Sequence, residues 1–336
     1  MGGGHGGIVR PRTSNVADTA CHAATVKAPP EQRPFRFGVQ LDGAMGRRED
    51  VVEAARRAEA AGVNVLLATD HLGAWAAMSR LQAAAEATSL RIGTLVLNND
   101  LRHPTVLAQE LATLDAMTDG RLEIGLGAGW NRPEYEAAGL PFDPPADRLR
   151  RMKASLRMIR QALSEGRIDH EADDAYPAIH QDGLPTSVQR PHPPFLVGGG
   201  GPKLLAFAAR EAQIIGIDPR SLPVGGSDPD DITGAAIDRK VGWIREAAGD
   251  RWAELEINVA LWEVDPEFHR RRGPPPPRAR GIREEEFPLS PHYLFGDTEE
   301  MVDTLLARRK RWGISYVTLP ASALDSLTPV IARLAR

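Results

Sequence analysis

Eight short apolar runs, separated by longer amphipathic or loop-rich stretches, limit what this chain can fold into more than any other feature. They are FRFGVQL (35–41), VNVLLAT (63–69), RIGTLVL (91–97), LEIGLG (122–127), PFLVG (194–198), QIIGI (213–217), LEINVALWEV (255–264) and SYVTLP (315–320). Short runs rich in leucine and β-branched residues, bounded by Gly, Pro, Asp or Asn, are how strands buried on both faces read. Between them the spacing predicts helices over 49–62, 104–120, 148–166, 203–212, 238–249 and 298–313. Gly62, Gly120 and Gly166 close three of these helices, and Pro104 opens one. Thr298 and Met301 stand at capping-box spacing but lack the glutamate such a box needs. Strands alternating with helices form a parallel sheet, and eight units close it. The expected fold is therefore α/β, a (β/α)8 TIM barrel with long loop insertions; an open doubly wound sheet is the rival.

Three stretches, 131–146, 167–193 and 265–297, are too long for simple connections and read as lids, binding loops or unstructured insertions. The last contains RRRGPPPPRARG (270–281), whose prolines lack amide donors; it reads as a mobile basic loop. Residues 1–34 read as a disordered tail, leaving 35–336 as one barrel domain. The sole cysteine, Cys21, lies in that tail with His22, which argues against a catalytic role for it and excludes an intramolecular disulfide. The tail lacks the roughly 7–15 apolar residues of a secretory signal. No run approaches the roughly 18 apolar residues of a membrane span. A cytoplasmic protein is expected. With 41 basic and 45 acidic residues, and a formal net charge of −4, neither nucleic acid nor a membrane surface is an expected partner.

Barrel active sites lie on the face built by the loops that follow the strands. After the second run come Asp70, His71 and Trp75; after the third, Asn98, Asn99 and Asp100; after the fourth, Gly127, Gly129 and Trp130. The fifth leads into Gly198, Gly199, Gly200, Gly201, Pro202 and Lys203, at the start of a helix. Each has a plain reading: Asp70 as a turn cap, His71 as a satisfied semi-buried histidine, the asparagines as turn residues, the tryptophans as rim packing. What favours a site is that four consecutive strands put polar, aromatic or glycine-rich groups at the same end. The GGGGPK turn has the clearest physics, because glycines admit an anion to backbone amides at a helix N-terminus and Lys203 adds charge. Its plain alternative is a glycine-rich turn with a solvated lysine. No Walker GK[ST], GxSxG elbow, HExxH or paired Cys/His spacing is present, so no metal is expected. GLGAGW has Trp130 where a dinucleotide fingerprint needs glycine.

Over about 35–336 the sequence resembles the luciferase-like flavin- and deazaflavin-dependent oxidoreductases, and is most similar to their coenzyme F420 branch. The segments that carry the resemblance are FRFGVQ, ATDHLGAW, LRIGTLVLNNDLRHPTVLAQELATLDAMTDGRLEIGLGAGW, DRKVGWIREAAG and SPHYLFGDTEEMVDTLLARRKRWGISYV. The resemblance implies a cofactor ring at the barrel mouth and a non-proline cis peptide behind it, near Leu97-Asn98 or Asn98-Asn99. It implies that Asp70, Asn98 and Asn99 hold the ring edge, that Gly127 and Gly129 line it, and that Gly198 to Gly201 with Lys203 hold the phosphate. DHLGAW also resembles the D-H-x-x-x-W arrangement of deazaflavin-dependent sugar-phosphate dehydrogenases, which implies His71 as an acid/base and Trp75 as a substrate-side wall; Trp130 is a third candidate catalytic residue. Those dehydrogenases carry a glutamate where this chain has Trp130, and Glu134 follows one helical turn later.

The function these readings imply is hydride transfer between coenzyme F420 and a small, mostly apolar organic substrate. FMN in the same barrel would make a two-component monooxygenase with a reductase partner, and a non-catalytic cofactor-binding barrel is the alternative from a different class. The resemblance further implies a homodimer. The acidic oligoglutamate tail of the deazaflavin could meet the arginines at 270–272, 278 and 280, for which a solvated basic loop is the plain alternative.

Overall fold

A computed structural model describes residues 28–222, 227–267 and 289–335. Eight parallel strands form its centre: β1 (Arg36–Gln40), β2 (Val65–Ala68), β3 (Arg91–Thr94), β4 (Leu122–Gly127), β5 (Phe195–Gly199), β6 (Ile214–Ile217), β7 (Glu256–Ala260) and β8 (Ile314–Pro320). Each pairs with the next in sequence. β8 pairs in turn with β1, Arg36 opposite Tyr316 through Gln40 opposite Pro320, so the sheet closes into a (β/α)8 barrel and the open-sheet rival falls. Closure explains the unbroken apolar runs: strands such as β2, β4 and β6 are buried at every position because the interior covers one face and helices the other.

Around the barrel lie α1 (Arg48–Ala60), α2 (Ala77–Ala87), α3 (Pro104–Met117), α4 (Arg132–Ala137), α5 (Pro145–Glu165), α6 (Pro202–Glu211), α7 (Gly234–Ala248), α8 (Thr298–Trp312) and α9 (Leu324–Leu334). In α5, Met152, Leu156, Ile159 and Leu163 are buried at three- and four-residue spacing, and the helix ends on Gly166 at φ 74°. The weak cap expected at Thr298 is a complete capping box one residue earlier. Asp297 accepts from the Glu299 and Glu300 amides, and Glu300 reaches back to the Asp297 amide. Three helices escape the periodicity: α4 is one and a half turns long, α2 is so rich in alanine that its apolar face is indistinct, and α9 carries Pro329 in its interior. The run 255–264 is two strands, β7 and then Glu263–Asp265, which pairs with Tyr293–Phe295. The stretch 167–193 contains an antiparallel hairpin, Arg167–His170 with Ile179–Asp182. The Pro/Arg run 270–281, Cys21 and His22 lie outside the described residues.

The tail boundary at 34 needs correction. Pro30 is buried against Gly313, Arg33 donates to Ala253 O, and the Arg33 carbonyl accepts from Arg309. Residues 30–33 are therefore bonded to the barrel's lower end rather than belonging to a free tail. Just inside that end, the Arg36 guanidinium bonds both Glu123 and Glu256 and lies 4.5 Å from the Tyr316 ring centre, while Arg91 Nε donates to Glu123 at 2.7 Å. Burial pushes the Glu256 carboxyl up; burial acts the same way on Glu123, but Arg36 and Arg91 together bring that carboxyl below its usual range. Removing the shared cation strands the buried Glu256 carboxylate and leaves Glu123 with Arg91 alone. Arg36→Met should lower unfolding stability by about 2–3 kcal/mol, less than the roughly 3–5 kcal/mol of a fully orphaned buried pair because Glu123 keeps Arg91. Urea unfolding reads this as a lower midpoint at unchanged slope, and an unchanged midpoint would mean that the network adds nothing.

Candidate active site at the strand ends

The mouth is organised by what happens after β3. The ladder with β2 stops at Thr94, the next peptide, Leu95–Val96, is cis, and pairing with β4 resumes at Leu97–Asn98. The cis bond thus lies two to three residues before the position expected from the sequence. The apolar run continues to Leu97, and nothing in it marks where the backbone leaves the ladder. β4 makes room for this departure with glycine. A Cβ on Gly125 would stand 1.9 Å from Thr94 O, and one on Gly127 would stand 2.7 Å from Val96 Cγ2. Gly129, at φ 74°, would place a Cβ 2.0 Å from Tyr135 Oη. The GxGxG of this segment is thus explained by contacts within the protein itself.

Asp70, at the end of β2, fixes the same turn. Its carboxylate accepts two hydrogen bonds from Arg102, at 2.7 and 3.0 Å, and one from the Asn98 amide at 3.1 Å. Asp70 is 8% exposed, so its carboxylate serves as a bracket between two strand exits. Asn98 Oδ1 in turn accepts from the Asp100 amide and from Tyr135 Oη, at 3.1 and 2.9 Å. Burial, with Asp100 adding to it, raises the Tyr135 phenol to about 12, so it remains a neutral donor. Arg151 of α5 grips Asp100 with two donors and Asp143 with a third, while Phe142 packs edge-on to the Tyr135 ring with centres 4.9 Å apart. The stretch 131–144 is thereby tied to the turn after β3. Asn99 is 1% exposed and its Nδ2 points to Tyr176 Oη at 3.3 Å, while its buried Oδ1 has no partner.

This docking carries Glu134, the residue before Tyr135, to His71. His71 Nδ1 lies 2.6 Å from Glu134 Oε1, and the same oxygen accepts from Asn131 Nδ2 at 2.6 Å. His71 and Glu134 are only partly buried, so the pair borders the open mouth. Trp130 stands edge-on to His71 with ring centres 5.9 Å apart, and Trp75 lies across Gly46 on the β1 side. Their exposures, 49% and 60%, are high for tryptophan and mark an uncovered aromatic rim. An indole has one N–H donor and no acidic proton near neutral pH, so the acid beside His71 is Glu134 and not Trp130. Glu134 was the residue to find in the sequence. It is the third residue of α4 and stands four positions after Trp130, but its target lies 63 residues away, after another strand.

On the far side, Gly198 and Gly199 end β5, Gly201 caps α6 and Pro202 is its first residue. Gly200 is required by packing, since a Cβ there would stand 2.5 Å from Arg220 N and from Asp218 O; Gly201 faces open space. Among the described residues the amides of Gly200, Gly201 and Lys203 donate no hydrogen bond, and Lys203 is exposed without an ion-pair partner. Orphan amides at a helix N-terminus beside a free ammonium fit a phosphate-bearing ligand. Among the described residues there is no grouping of His, Cys, Asp and Glu suited to a metal, and no helix is long and apolar enough to cross a membrane.

A family model described as luciferase-like monooxygenase matches residues 33–236, more than half of the chain. The protein belongs to the luciferase-like monooxygenase family. Among its relatives, an F420-dependent glucose-6-phosphate dehydrogenase of Kineococcus radiotolerans is 29% identical over 188 residues, 53% of this chain and 55% of that protein. Its counterpart in Intrasporangium calvum is 32% identical over 180 residues, 50% of this chain and 53% of that protein. The chain thus spans about half the length of the curated relatives it matches. The coenzyme F420-dependent tetrahydromethanopterin reductase of Methanopyrus kandleri superposes with a TM-score of 0.70 at 20% identity, over 90% of this chain and 100% of that one, and so shares the fold.

Tyr135→Phe tests the bracket. Loss of the hydroxyl takes one of the two donors from Asn98 Oδ1, leaving the Asp100 amide, and should cost about 1 kcal/mol of stability. The same substitution should broaden or shift the His71 ring resonances, because the segment that carries Glu134 loses its bond to the turn after β3. Unaltered His71 resonances would show that the hydroxyl does not position the pair.

Proposed function

We propose that the protein is a coenzyme F420-dependent oxidoreductase that moves a hydride to or from a small organic substrate seated between Trp75 and Trp130. The observation that carries this reading is the 2.6 Å contact between His71 and Glu134 at the rim of a barrel whose matched region includes both residues. The F420-dependent activity of the Kineococcus and Intrasporangium relatives supports the cofactor, as do the open amides of Gly200, Gly201 and Lys203.

A bound deazaflavin supplies a two-electron hydride carrier, which the side chains of this protein do not contain. Gly200, Gly201 and Lys203 would hold its phosphate, and the turn 95–99 with Gly127 and Gly129 would form the floor under its ring. His71 holds or receives the proton that accompanies hydride transfer, at the ring nitrogen that does not face Glu134. Glu134, anchored by Asn131, orients the imidazole and offsets the charge it gains. Trp75 and Trp130 exclude water from the substrate and favour an apolar one.

Parallel fluorescence titrations with coenzyme F420 and with FMN test the cofactor: F420 should bind and FMN should not. Preference for FMN would instead indicate a monooxygenase fed by a reductase, and binding of neither would leave a non-catalytic barrel. His71→Ala should lower turnover by about 10²–10⁴, and Glu134→Gln by a smaller factor, with cofactor affinity nearly unchanged in both. Turnover within a few-fold of wild type in His71→Ala would remove the acid/base assignment.

A further inference from the structure

The outer face of α5 and α6 carries cations that the mouth does not use. Lys153 and Arg157, one helical turn apart on α5, flank the Phe207 ring of α6, with Nζ 5.3 Å and Cζ 5.9 Å from its centre. On α6, Lys203 stands four residues before Phe207 and Arg210 three after it, so helical spacing puts both on the face of that ring. Burial lowers the pKa of Lys153, and the charges of Arg210, Arg157 and Lys203 lower it further. Among the described residues, Lys153, Lys203 and Arg210 have no ion-pair partner. The nearby carboxylate of Glu211 is already engaged by Arg157 and Arg160. Arg157 alone of the four has a counter-charge, Glu211, so like charges are gathered with little to offset them, and on a chain of net charge −4 such a patch is the footprint of a polyanion.

The patch is continuous with the open glycine turn, because Lys203 belongs to both. From there it runs down the outside of the barrel to Arg210, seven residues along α6, about 10 Å at the helical rise. We infer that this face takes the oligocarboxylate tail of the cofactor, the phosphate being seated at Gly200, Gly201 and Lys203 and the carboxylates following Lys203, Lys153, Arg157 and Arg210 down the α5–α6 groove. This rests on the coenzyme F420 reading above. The arginines at 270–272, 278 and 280, weighed for that tail against a solvated basic loop, lie outside the described residues. A patch of about 10 Å is short enough for a tail of two or three glutamates to span.

The test is fluorescence titration of the whole protein at low salt with coenzyme F420 bearing one glutamate and with forms bearing three and five or more. Each exposed ion pair contributes up to about fivefold in affinity, so the long-tailed forms should bind about tenfold more tightly than the single-glutamate form. The gain should level off at about three glutamates and vanish at roughly 0.5 M salt. Lys153→Gln combined with Arg210→Gln, its fold checked by thermal melting, should abolish the gain and leave single-glutamate affinity within about twofold. Equal affinities for all tail lengths, or a variant that weakens every form alike, would overturn the inference while leaving the cofactor reading intact. Binding of no form would remove the cofactor reading and this inference with it. Displacement of the long-tailed form by a short single-stranded DNA at the same salt, without any tail-length dependence, would make the patch a nucleic-acid surface instead.

Discussion

Val96 and the Thr94 carbonyl approach the backbone of β4 so closely that no side chain fits between them, and the arrangement of the mouth follows from that contact. Gly125 and Gly127 are the points of approach. With them in place the chain leaves β3, folds over β4 and returns to the ladder at Leu97–Asn98. That return puts the Asn98 amide against Asp70 and the Asn98 side chain under Tyr135. Tyr135 brings Glu134 with it, and Glu134 meets His71. Larger residues at 125 or 127 would push the bulge away, and each later contact would lose its partner.

The two ends of the barrel use charge differently. At the lower end Arg36 binds Glu123 and Glu256 inside the wall, where desolvation makes an unmatched charge expensive and the Tyr316 ring covers the guanidinium. At the upper end Asp70 with Arg102, and Asp100 with Arg151, hold loops, and both carboxylates are saturated by bidentate arginines. Of the groups left incompletely satisfied there, Asn99 Oδ1 is buried, and His71 at the rim, the amides of the α6 turn and Lys203 face outward. The glycines of that turn divide in the same way, Gly200 held by the 218–220 backbone and Gly201 open.

Much of the fold was legible because closure imposes a simple pattern on the sequence. A strand buried on both faces must be apolar throughout, and eight such strands separated by helical stretches admit few topologies. The misses have physical causes. α2 lacks a polar–apolar contrast strong enough to show its period, and α4 is too short to have one. The capping box starts at Asp297, one residue before the Thr298 that the spacing suggests. Pro30 and Arg33 lie in a segment without periodicity, and their order comes from partners more than 200 residues away.

The sequence by itself determined the barrel, the face that carries the mouth, and the positions of His71, Trp75, Trp130 and the GGGGPK turn, since all of these follow from local pattern and from where each strand ends. Only the tertiary structure decided which groups meet. It assigned Asp70 to Arg102, gave Gly125 and Gly127 to the bulge after β3, and made Glu134 rather than Trp130 the hydrogen-bond partner of His71. It also drew Lys153 and Arg157 of one helix together with Lys203 and Arg210 of the next. The reason is common to all four cases: each contact joins residues from separate β/α units, and their distance is fixed by closure of the barrel and docking of the loops, quantities that no local period encodes.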